Sequence, residues 1–317
     1  MGLNLAEIQQ KLDRLIQNMS EQNRRAYQIF YDPTPQDVEL PQLDENGNLV
    51  NVTIPNRALI KKQMWDDVGK AVGYWYRYLW VDPVNGDDNN PGTSTAPLKT
   101  VNKAVDTVPF GGGARVYLVP SAKYVIDSQI VAEGKHIFIS TDPTSLANGV
   151  KATLTGLSTV VSLGNSTVNT LYGIQTTGTL RFGWLNIEVP SVQDSTFPLH
   201  PLYRSIAVAA YNSKYGGGVI GFHYCTITTN SGFSLIDCYN YGGKTDLLNI
   251  VLWGNKVTVN DTSTYLINTQ SAATALYSSS NSFVDSAGNA LNIVDLVGQI
   301  VKDANGVPRS VVSNLIF

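Results

Sequence analysis

The sequence predicts a mainly β protein in which a right-handed parallel β-helix follows an N-terminal coiled-coil helix and a small α/β linker region. Three observations predict this fold class: an initial heptad pattern, a fall in charge density after residue 80, and short alternating segments that recur without a fixed period. We expect a coiled coil over residues 1–30, a linker region over 31–80 and the β-helix body over 81–317.

The first region contains a narrow apolar stripe whose members are spaced alternately three and four residues apart. They are Leu5, Ile8, Leu12, Leu15 and Met19. Most of the positions between them are polar, so little apolar surface is left to pack on the chain's own core. The stripe therefore predicts a coiled coil that joins several chains, and an ordinary amphipathic helix is the alternative.

The second region cannot be one continuous helix, because four prolines interrupt it: Pro33, Pro35, Pro41 and Pro55. An Asn46-Gly47 turn predicts a small β element, and residues 57–72 carry apolar positions at helical spacing. The cluster "YWYRYLW" at residues 74–80 then ends the region. We expect burial of these rings at the junction with the body, although such rings also stack on sugars or bases.

The body is poor in charge and rich in turn-forming and β-branched residues. Residues 1–80 hold 9 of the 22 Lys and Arg and 10 of the 25 Asp and Glu, although they are only a quarter of the chain. Equivalent apolar positions, Ile187, Ile227, Val257 and Phe283, lie 40, 30 and 26 residues apart. Unequal intervals favour a solenoid with loops of different length over a propeller, and residues 114–119, 136–140, 152–155 and 159–163 extend the pattern. We expect about ten turns.

The stretch "VDPVNGDDNNPGTSTAPLKTVNKAVDTVP" at residues 81–109, followed by "GGGARVYLVPSAKY", resembles the opening of pectate-lyase-like parallel β-helix domains. It departs from them at residues 120–124, "PSAKY", where the family has Pro-Gly before the tyrosine. A β-helix needs a cover over its open end. We expect a cap from Asp82, Gly86, Pro97, Leu98, Val101 and Val105, with Pro97 starting a helix and Thr95 as its N-cap.

The order of the N-terminal elements, a heptad helix, a hairpin-like segment with "VTIPN", a helix and then the body, resembles bacteriophage tail fibres and tailspikes. This resemblance implies a homotrimeric virion protein, made in the host cytoplasm. Residues 1–80 would join other tail or virion proteins, and the body would contact a receptor or polysaccharide on the host surface. The alternatives are a tailspike depolymerase, either a glycosidase or a lyase, and a purely structural adaptor or head fibre.

The segment "GWLNIEVP" at residues 183–190 is the best candidate for sugar chemistry. Alternation places Trp184, Asn186 and Glu188 on one face, where Trp184 and Asn186 would bind sugar. Glu188 and Asp194 would form the carboxylate pair that glycoside hydrolysis needs. The alternative is a solvated strand face with one packed Trp, and Asp237 and Asp246 are further carboxylates with no better support.

The sequence lacks the signals that several other classes of function require. A net charge of -3 gives no basic footprint for nucleic acid, and no apolar run predicts membrane insertion. Cys225 and Cys238 cannot supply a zinc site and are expected to be buried thiols. The spacing of Asp82, Asp87 and Asp88 does not match a calcium loop, so these aspartates are expected to shape turns. We expect no metal and no cofactor.

Overall fold

The computed structural model describes residues 36–43, 49–55, 76–212, 216–240, 248–270 and 272–315. The chain divides into two compact units, residues 1–74 and 75–317. The predicted coiled-coil residues Leu5, Ile8, Leu12, Leu15 and Met19, and the predicted helix at 57–72, lie outside the described residues.

In the first unit, strands β1 (Asp37–Leu43) and β2 (Leu49–Pro55) pair antiparallel. Leu43 faces Leu49 at one end of the pair, and Asp37 faces Pro55 at the other. The pair flanks the Asn46-Gly47 dipeptide, where the sequence predicts a turn, although residues 44–48 themselves are not among those described.

The second unit is built from three sheets that consist mainly of parallel strands. Sheet I contains, in chain order, β3 (Tyr76–Val81), β4 (Gly113–Leu118), β7 (His136–Thr141), β12 (Thr179–Gly183), β16 (Val219–His223), β19 (Leu248–Trp253), β22 (Thr274–Ser279) and β25 (Val311–Ser313). Sheet II contains β5 (Tyr124–Ile126), β8 (Thr153–Gly156), β13 (Asn186–Val189), β17 (Thr226–Thr229), β20 (Lys256–Val259) and β23 (Ser282–Asp285).

Sheet III contains β6 (Ile130–Ala132), β9 (Ser158–Leu163), β10 (Ser166–Leu171), β11 (Ile174–Thr176), β14 (Leu199–Asn212), β15 (Gly216–Gly217), β18 (Ser234–Asn240), β21 (Ile267–Asn268) and β24 (Val297–Gly298). The chain passes from sheet I to II to III and back, so each coil adds one layer to the stack, and this fits a β-helix. Within the described residues, sheet I has eight strands in the order of the chain and sheet II has six, because the cap helix occupies the interval between β3 and β4. The described residues therefore form six complete coils, and the expected ten turns were too many.

The predicted equivalence of four apolar positions is confirmed. Ile187 pairs with Ile227, Ile227 with Val257, and Val257 with Phe283 across sheet II. Each of the four side chains is buried. The unequal intervals arise because the coils differ in the lengths of their sheet III strands and of the segments on either side of them, whereas the register of sheet II is constant.

The largest insertion is a hairpin. Strands β9 and β10 pair antiparallel, with Leu163 facing Ser166, and they extend sheet III away from the coils. The pattern at residues 159–163 predicts a coil strand, and this prediction is wrong because alternation cannot distinguish an inserted hairpin from a coil. The first six residues of the 14-residue strand β14, from Leu199 to Arg204, run beside this hairpin.

The start of the body is covered by helix α1 (Val101–Asp106), whose residues Val101, Ala104 and Val105 are buried. Thr100, not Thr95, is the N-cap, because its hydroxyl accepts the Lys103 N–H at 3.1 Å. Pro97 therefore does not start the helix. Leu98 instead forms a parallel bridge with Val81. A short second helix, α2 (Pro143–Ala147), follows β7.

The approach of the cap loop to β3 depends on Gly86. A Cβ atom at this position would lie 2.2 Å from the Leu98 carbonyl oxygen and 2.4 Å from that of Asp82.

The segment at residues 120–124, which departs from the pectate-lyase-like pattern, is held by hydrogen bonds to the end of β3 and the residue after it. The Ser121 hydroxyl donates to Asp82 at 2.6 Å, and the Tyr124 hydroxyl donates to the carbonyl of Val81.

The turn between sheets I and II has the same backbone conformation in four coils. Trp184, Tyr224, Gly254 and Ser280 occupy this turn with φ between 53° and 67°, in the left-handed region. The residue after each turn points inward, and in two coils it is an asparagine. Asn255 accepts the Cys225 N–H at 2.9 Å and donates to the Phe222 carbonyl at 2.8 Å.

Candidate functional site

The outer face of sheet I, with its adjoining turn, carries a row of aromatic side chains along the stacking direction of the coils. We call this surface the aromatic face, and it comprises Tyr78, Trp80, Tyr117, Phe138, Trp184, Tyr224, Trp253 and Tyr277. These residues are far apart in sequence, and only the strand register brings them together. At roughly 4.8 Å per strand, eight strands extend about 34 Å.

Two register rows supply most of these side chains. The first row consists of Tyr78, Arg115, Phe138, Arg181, Gly221, Val251 and Tyr277, and the second of Trp80, Tyr117, Ser140, Gly183, His223, Trp253 and Ser279. Inward-pointing residues such as Phe182 and Phe222 separate them along each strand and stack at 4.8 Å in the core. Because strand side chains alternate, both rows point outward.

Six of the rings form two groups of mutual contacts. Tyr117 lies 6.1 Å from Tyr78 and 4.9 Å from Trp80, measured between ring centroids. Further along, Trp184 lies 6.2 Å from Phe138 and stacks on Tyr224 at 5.5 Å with an interplanar angle of 19°. The contacts hold the rings in place before any ligand binds, which lowers the entropic cost of binding.

Several of these rings are open to solvent. Tyr78 is 57% exposed, and Tyr224, Trp253 and Tyr277 are each 45% exposed. The expected burial of the aromatic cluster at the junction was therefore wrong for Tyr78. Near the last coils, Val251, Tyr277, Val312 and Asn314 contribute to a shallow depression of about 220 Å³ on the same face. A group of exposed apolar rings on one face makes that face a candidate binding surface.

Trp184 and Glu188 do not share a site. Leu185, Ile187 and Val189 point into the core, as alternation predicted. However, the left-handed turn at Trp184 directs its ring toward sheet I, whereas Asn186 and Glu188 lie on the outer face of sheet II. The sequence pattern identified the alternation and missed the corner between the two sheets.

The two predicted catalytic carboxylates are engaged in other interactions. Glu188 accepts a hydrogen bond from the Lys123 ammonium group at 2.5 Å, in an exposed ion pair. Asp194 closes a turn by accepting the N–H and hydroxyl of Thr196, and these bonds lower the pKa of its carboxyl. Asn169 holds the same loop through the Asp194 carbonyl at 2.6 Å.

Asp237 is fully buried on sheet III and pairs with Arg204, whose Nε lies 2.7 Å from its Oδ2. Burial raises the pKa of Asp237, and the nearby Arg204 guanidinium only partly offsets this effect. A raised pKa is typical of a catalytic acid, but this carboxyl has no exposed surface through which substrate would reach it. Asp246 lies outside the described residues.

The aspartates of the opening motif accept hydrogen bonds in turns. Asp82 accepts the Val84 and Asn85 N–H groups, Asp87 accepts that of Asn89, and Asp88 accepts that of Thr100. Within the described residues, no group of three or more potential metal-ligating side chains occurs. The search of the same residues for a helix able to cross a membrane found none.

Both cysteines are buried, as predicted. Burial raises the pKa of the Cys225 thiol to about 11 and that of Cys238 to about 12. Thiols in this state are protonated near neutral pH and are poor nucleophiles.

No family model matches the sequence, and no curated protein matches it. Among solved structures, the chain is similar to GH136 lacto-N-biosidase from Eubacterium ramulus. The native crystal structure aligns with 14% identity and a TM-score of 0.36 over 69% of this chain, and the selenomethionine derivative with 13% and 0.37 over 72%. The chain spans 36% and 44% of the lengths of those two chains.

Proposed function

We propose that this protein is a phage virion component, a trimeric tail fibre or tailspike, whose β-helix binds carbohydrate at the host cell surface without cleaving it. The observation that carries the proposal is the aromatic face, with Tyr224, Trp253 and Tyr277 each 45% exposed. Exposed rings offer flat apolar surfaces with polar edges, which match the C–H faces and hydroxyl rims of sugars.

The shape of the face favours a polymer over a single sugar. One group of ring contacts joins Tyr78, Trp80 and Tyr117, and a second joins Phe138, Trp184 and Tyr224. The Arg115 guanidinium lies over a ring of each group, and Trp253 follows on β19. A ligand that lies along the coil axis would contact several rings at once, so modest contributions from individual rings would add along the chain. A small ligand would instead be expected in an enclosed pocket.

The distribution of carboxylates favours binding over hydrolysis. None of the eight strands of sheet I contains Asp or Glu. A glycosidase needs two carboxylates about 5 to 9.5 Å apart beside the bound sugar. Glu188 lies on sheet II in an ion pair, and Asp194 closes a turn. The aromatic face therefore has the groups that hold a sugar, whereas the candidate acids lie elsewhere.

The virion role rests on the sequence. The heptad over residues 5–19 supports oligomerisation, and the resemblance to tail fibres and tailspikes implies three chains. The arrangement of residues 1–80 supports attachment to other tail or virion proteins. In this proposal the chain is made in the host cytoplasm and is incorporated into the particle. Mass measurement of the purified full chain tests the trimer, since a persistent monomer would contradict it.

Binding is tested with two tyrosines of nearly equal exposure on different faces. Tyr277 is 45% exposed on the aromatic face, and Tyr265 is 44% exposed beside Gly298 on sheet III. We expect Tyr277→Ala to weaken binding to host-surface polysaccharides by roughly tenfold, about 1.4 kcal/mol, and Tyr265→Ala to leave it unchanged. Equal losses in both variants would contradict the proposal.

The rival functions give different results with the same protein. Purified wild-type chain is expected to bind polysaccharide and to block phage adsorption. Release of reducing ends or unsaturated sugars across a panel of capsules and lipopolysaccharides would identify a depolymerase. A chain that neither binds glycan nor blocks adsorption, yet is present in the particle, would identify a structural adaptor or head fibre.

A further inference from the structure

The charge on the aromatic face is one-sided. Its strands lack Asp and Glu but carry Arg115, Arg181 and His223 on the outward rows. Arg181 is exposed and Arg115 is partly buried. Neither arginine forms an ion pair with any of the described residues. The chain as a whole is negative, with net charge -3, so the local excess of cations is not a general property of its surface.

Arg115 is held over aromatic rings and is not paired with a carboxylate. Its guanidinium carbon lies 5.3 Å from the centroid of the Tyr117 ring and 4.6 Å from that of Phe138. These contacts fix the planar group on the outside of the sheet. Its Nε has no hydrogen-bond partner among the described residues. The guanidinium is therefore fixed in orientation while its donors are not fully used.

Two outward-facing glycines leave space for the groups around them. A Cβ atom on Gly183 would lie 2.7 Å from the Phe138 ring. A Cβ atom on Gly221 would lie 2.7 Å from His223 Nε2 and 3.3 Å from Arg181 Cγ. His223 Nε2 is buried and lacks a hydrogen-bond partner within the described part of the chain. The glycines therefore bring Phe138, Arg181 and His223 together at the middle of the face.

We infer that the ligand of the aromatic face is an anionic polysaccharide, whose sugar rings stack on the aromatic side chains and whose acidic groups are bound by Arg181 and Arg115. This inference rests on the proposed glycan-binding function and specifies its ligand class. A guanidinium forms two parallel hydrogen bonds with a carboxylate or a phosphate. The strands of the sheet carry no carboxylate, and Asp142 at the border of the face accepts hydrogen bonds from Trp80 Nε1 and the Ser145 N–H without an ion pair to either arginine. A bound acidic sugar therefore supplies the counter-charge of the arginines.

Two other ligands, nucleic acid and a second copy of the chain, match the chemistry of the aromatic face less well. Nucleic acid also combines stacking with positive charge, but its affinity comes from neutralising many phosphates, and this face offers two arginines on a negative chain. A second copy of the chain that docks through the same face would place arginines against arginines with no carboxylate to pair them. Both occupants are outcomes of the test below.

The test measures binding of the full chain to acidic polysaccharides and to neutral forms of the same polymers. Polygalacturonate with its methyl ester, polysialic acid with its carboxyl-reduced form, and a polyol-phosphate polymer with the uncharged polyol distinguish carboxylate from phosphate. We expect at least one acidic polymer to bind about tenfold or more tightly than its neutral partner. We also expect this preference to weaken as salt rises from 20 to 500 mM, roughly spanning the range over which screening becomes strong.

The variants are Arg181→Gln, Arg181→Lys and the control Lys256→Gln. Lys256 is exposed on sheet II, so its substitution removes the same charge from a neighbouring face. Arg181→Gln should weaken acidic binding by about tenfold and neutral binding by less than about twofold. Arg181→Lys should retain part of the preference, because it keeps the charge and loses the two-pronged geometry. Lys256→Gln should change neither affinity.

Each alternative outcome contradicts the inference in a distinct way. Equal affinity for every acidic polymer and its neutral partner would leave the proposed glycan binding intact and overturn the anionic ligand. No glycan binding of any kind would overturn the proposed function and this inference with it. Tight binding of a single-stranded oligonucleotide, or a change in oligomeric mass on Arg181→Gln, would assign the face to nucleic acid or to a second copy.

Discussion

The outer faces of sheets I and II differ in chemistry, although the same coils build both. Sheet I presents rings and arginines, whereas sheet II presents mainly hydroxyl and amide groups from Thr153, Asn186, Thr226, Thr228, Thr258 and Ser282. A turn with one left-handed residue separates the faces in each coil, for example at Trp184 and Tyr224.

The comparison separates the residues that specify the fold from those that specify the ligand. Inward rows are apolar on both sheets, and outward rows follow no common pattern. Outward residues of a solenoid contribute little to its core, so they are free to serve binding. Substitutions at the corner that the two faces share, and on each face separately, test this division through their effects on stability and on binding.

The largest effect is expected at Asn255, which is 1% exposed at the corner between the faces. Asn255→Ala leaves the Cys225 N–H and the Phe222 carbonyl without their partner. We expect the free energy of unfolding to fall by about 3 kcal/mol, because several buried polar groups become unsatisfied. The measurement is urea denaturation, with Asn260→Ala as the control, since Asn260 is exposed. A similar loss in the control would argue against a special role for the corner.

The next effect concerns ligand binding. The double variant Tyr224→Ala, Trp253→Ala should weaken polysaccharide binding by about 2 to 3 kcal/mol, because two exposed rings are removed from the proposed site. The matched double variant Thr226→Ala, Thr258→Ala changes sheet II and should bind like the wild type. Isothermal titration calorimetry measures both affinities. If the threonine variant loses as much affinity as the aromatic one, the two faces do not differ in function.

Low pH should destabilise the turn after β3, in which the Asp82 carboxylate accepts the N–H groups of Val84 and Asn85. Burial raises the pKa of Asp82, but hydrogen bonds from Ser121, Asn85 and Val84 outweigh this effect and lower it overall. The folded chain therefore binds this proton less tightly than the unfolded chain. The ionised Asp82 carboxylate therefore stabilises the folded chain above about pH 4. This contribution is lost as the pH falls through the pKa that Asp82 has in the folded chain.

Asp82→Asn should therefore reduce the loss of unfolding free energy between about pH 4 and pH 2, and Asp87→Asn serves as the comparison. Asp87 is exposed, and its carboxyl group accepts hydrogen bonds from the N–H and the side-chain amide of the neighbouring Asn89. Denaturation at a series of pH values checks this. Identical pH profiles for wild type and Asp82→Asn would contradict the assignment.

The smallest effect is expected at Glu188 on sheet II. Its ion pair with Lys123 is exposed, and such pairs contribute about 0 to 1 kcal/mol. Glu188→Gln should change the free energy of unfolding by less than about 1 kcal/mol and leave polysaccharide binding unchanged. Loss of an enzymatic release of sugar in this variant would restore Glu188 as a catalytic residue and overturn the proposal of binding without cleavage.

The inward-facing residues of sheet II could be predicted from the sequence alone. Ile187, Ile227, Val257 and Phe283 pair as expected, because burial imposes the same alternation on every coil. The number of coils was overestimated, because the β9–β10 hairpin and the long strand β14 lengthen two coils. Insertions of this kind carry ordinary strand patterns, so their place in the fold depends on pairing that sequence does not reveal.

The candidate site was harder to predict. The rings of Tyr117, Trp184 and Tyr277 lie more than 60 residues apart in sequence, and only the coil register aligns them on one surface. Aligning the predicted strands on their inward residues would have shown these outward rings as a column. Trp184 itself was selected correctly as an outward ring, but its association with Glu188 failed because a left-handed turn separates the two.

The central claim is that sheet I, and not sheet II, binds the polysaccharide. A crystal structure of the full chain with an oligosaccharide from a bound acidic polymer tests it most directly. The account predicts sugar rings along Tyr224, Trp253 and Tyr277, with an acidic group against Arg181. Sugar bound on sheet II near Glu188, or an aromatic face buried between copies of the chain, would contradict it.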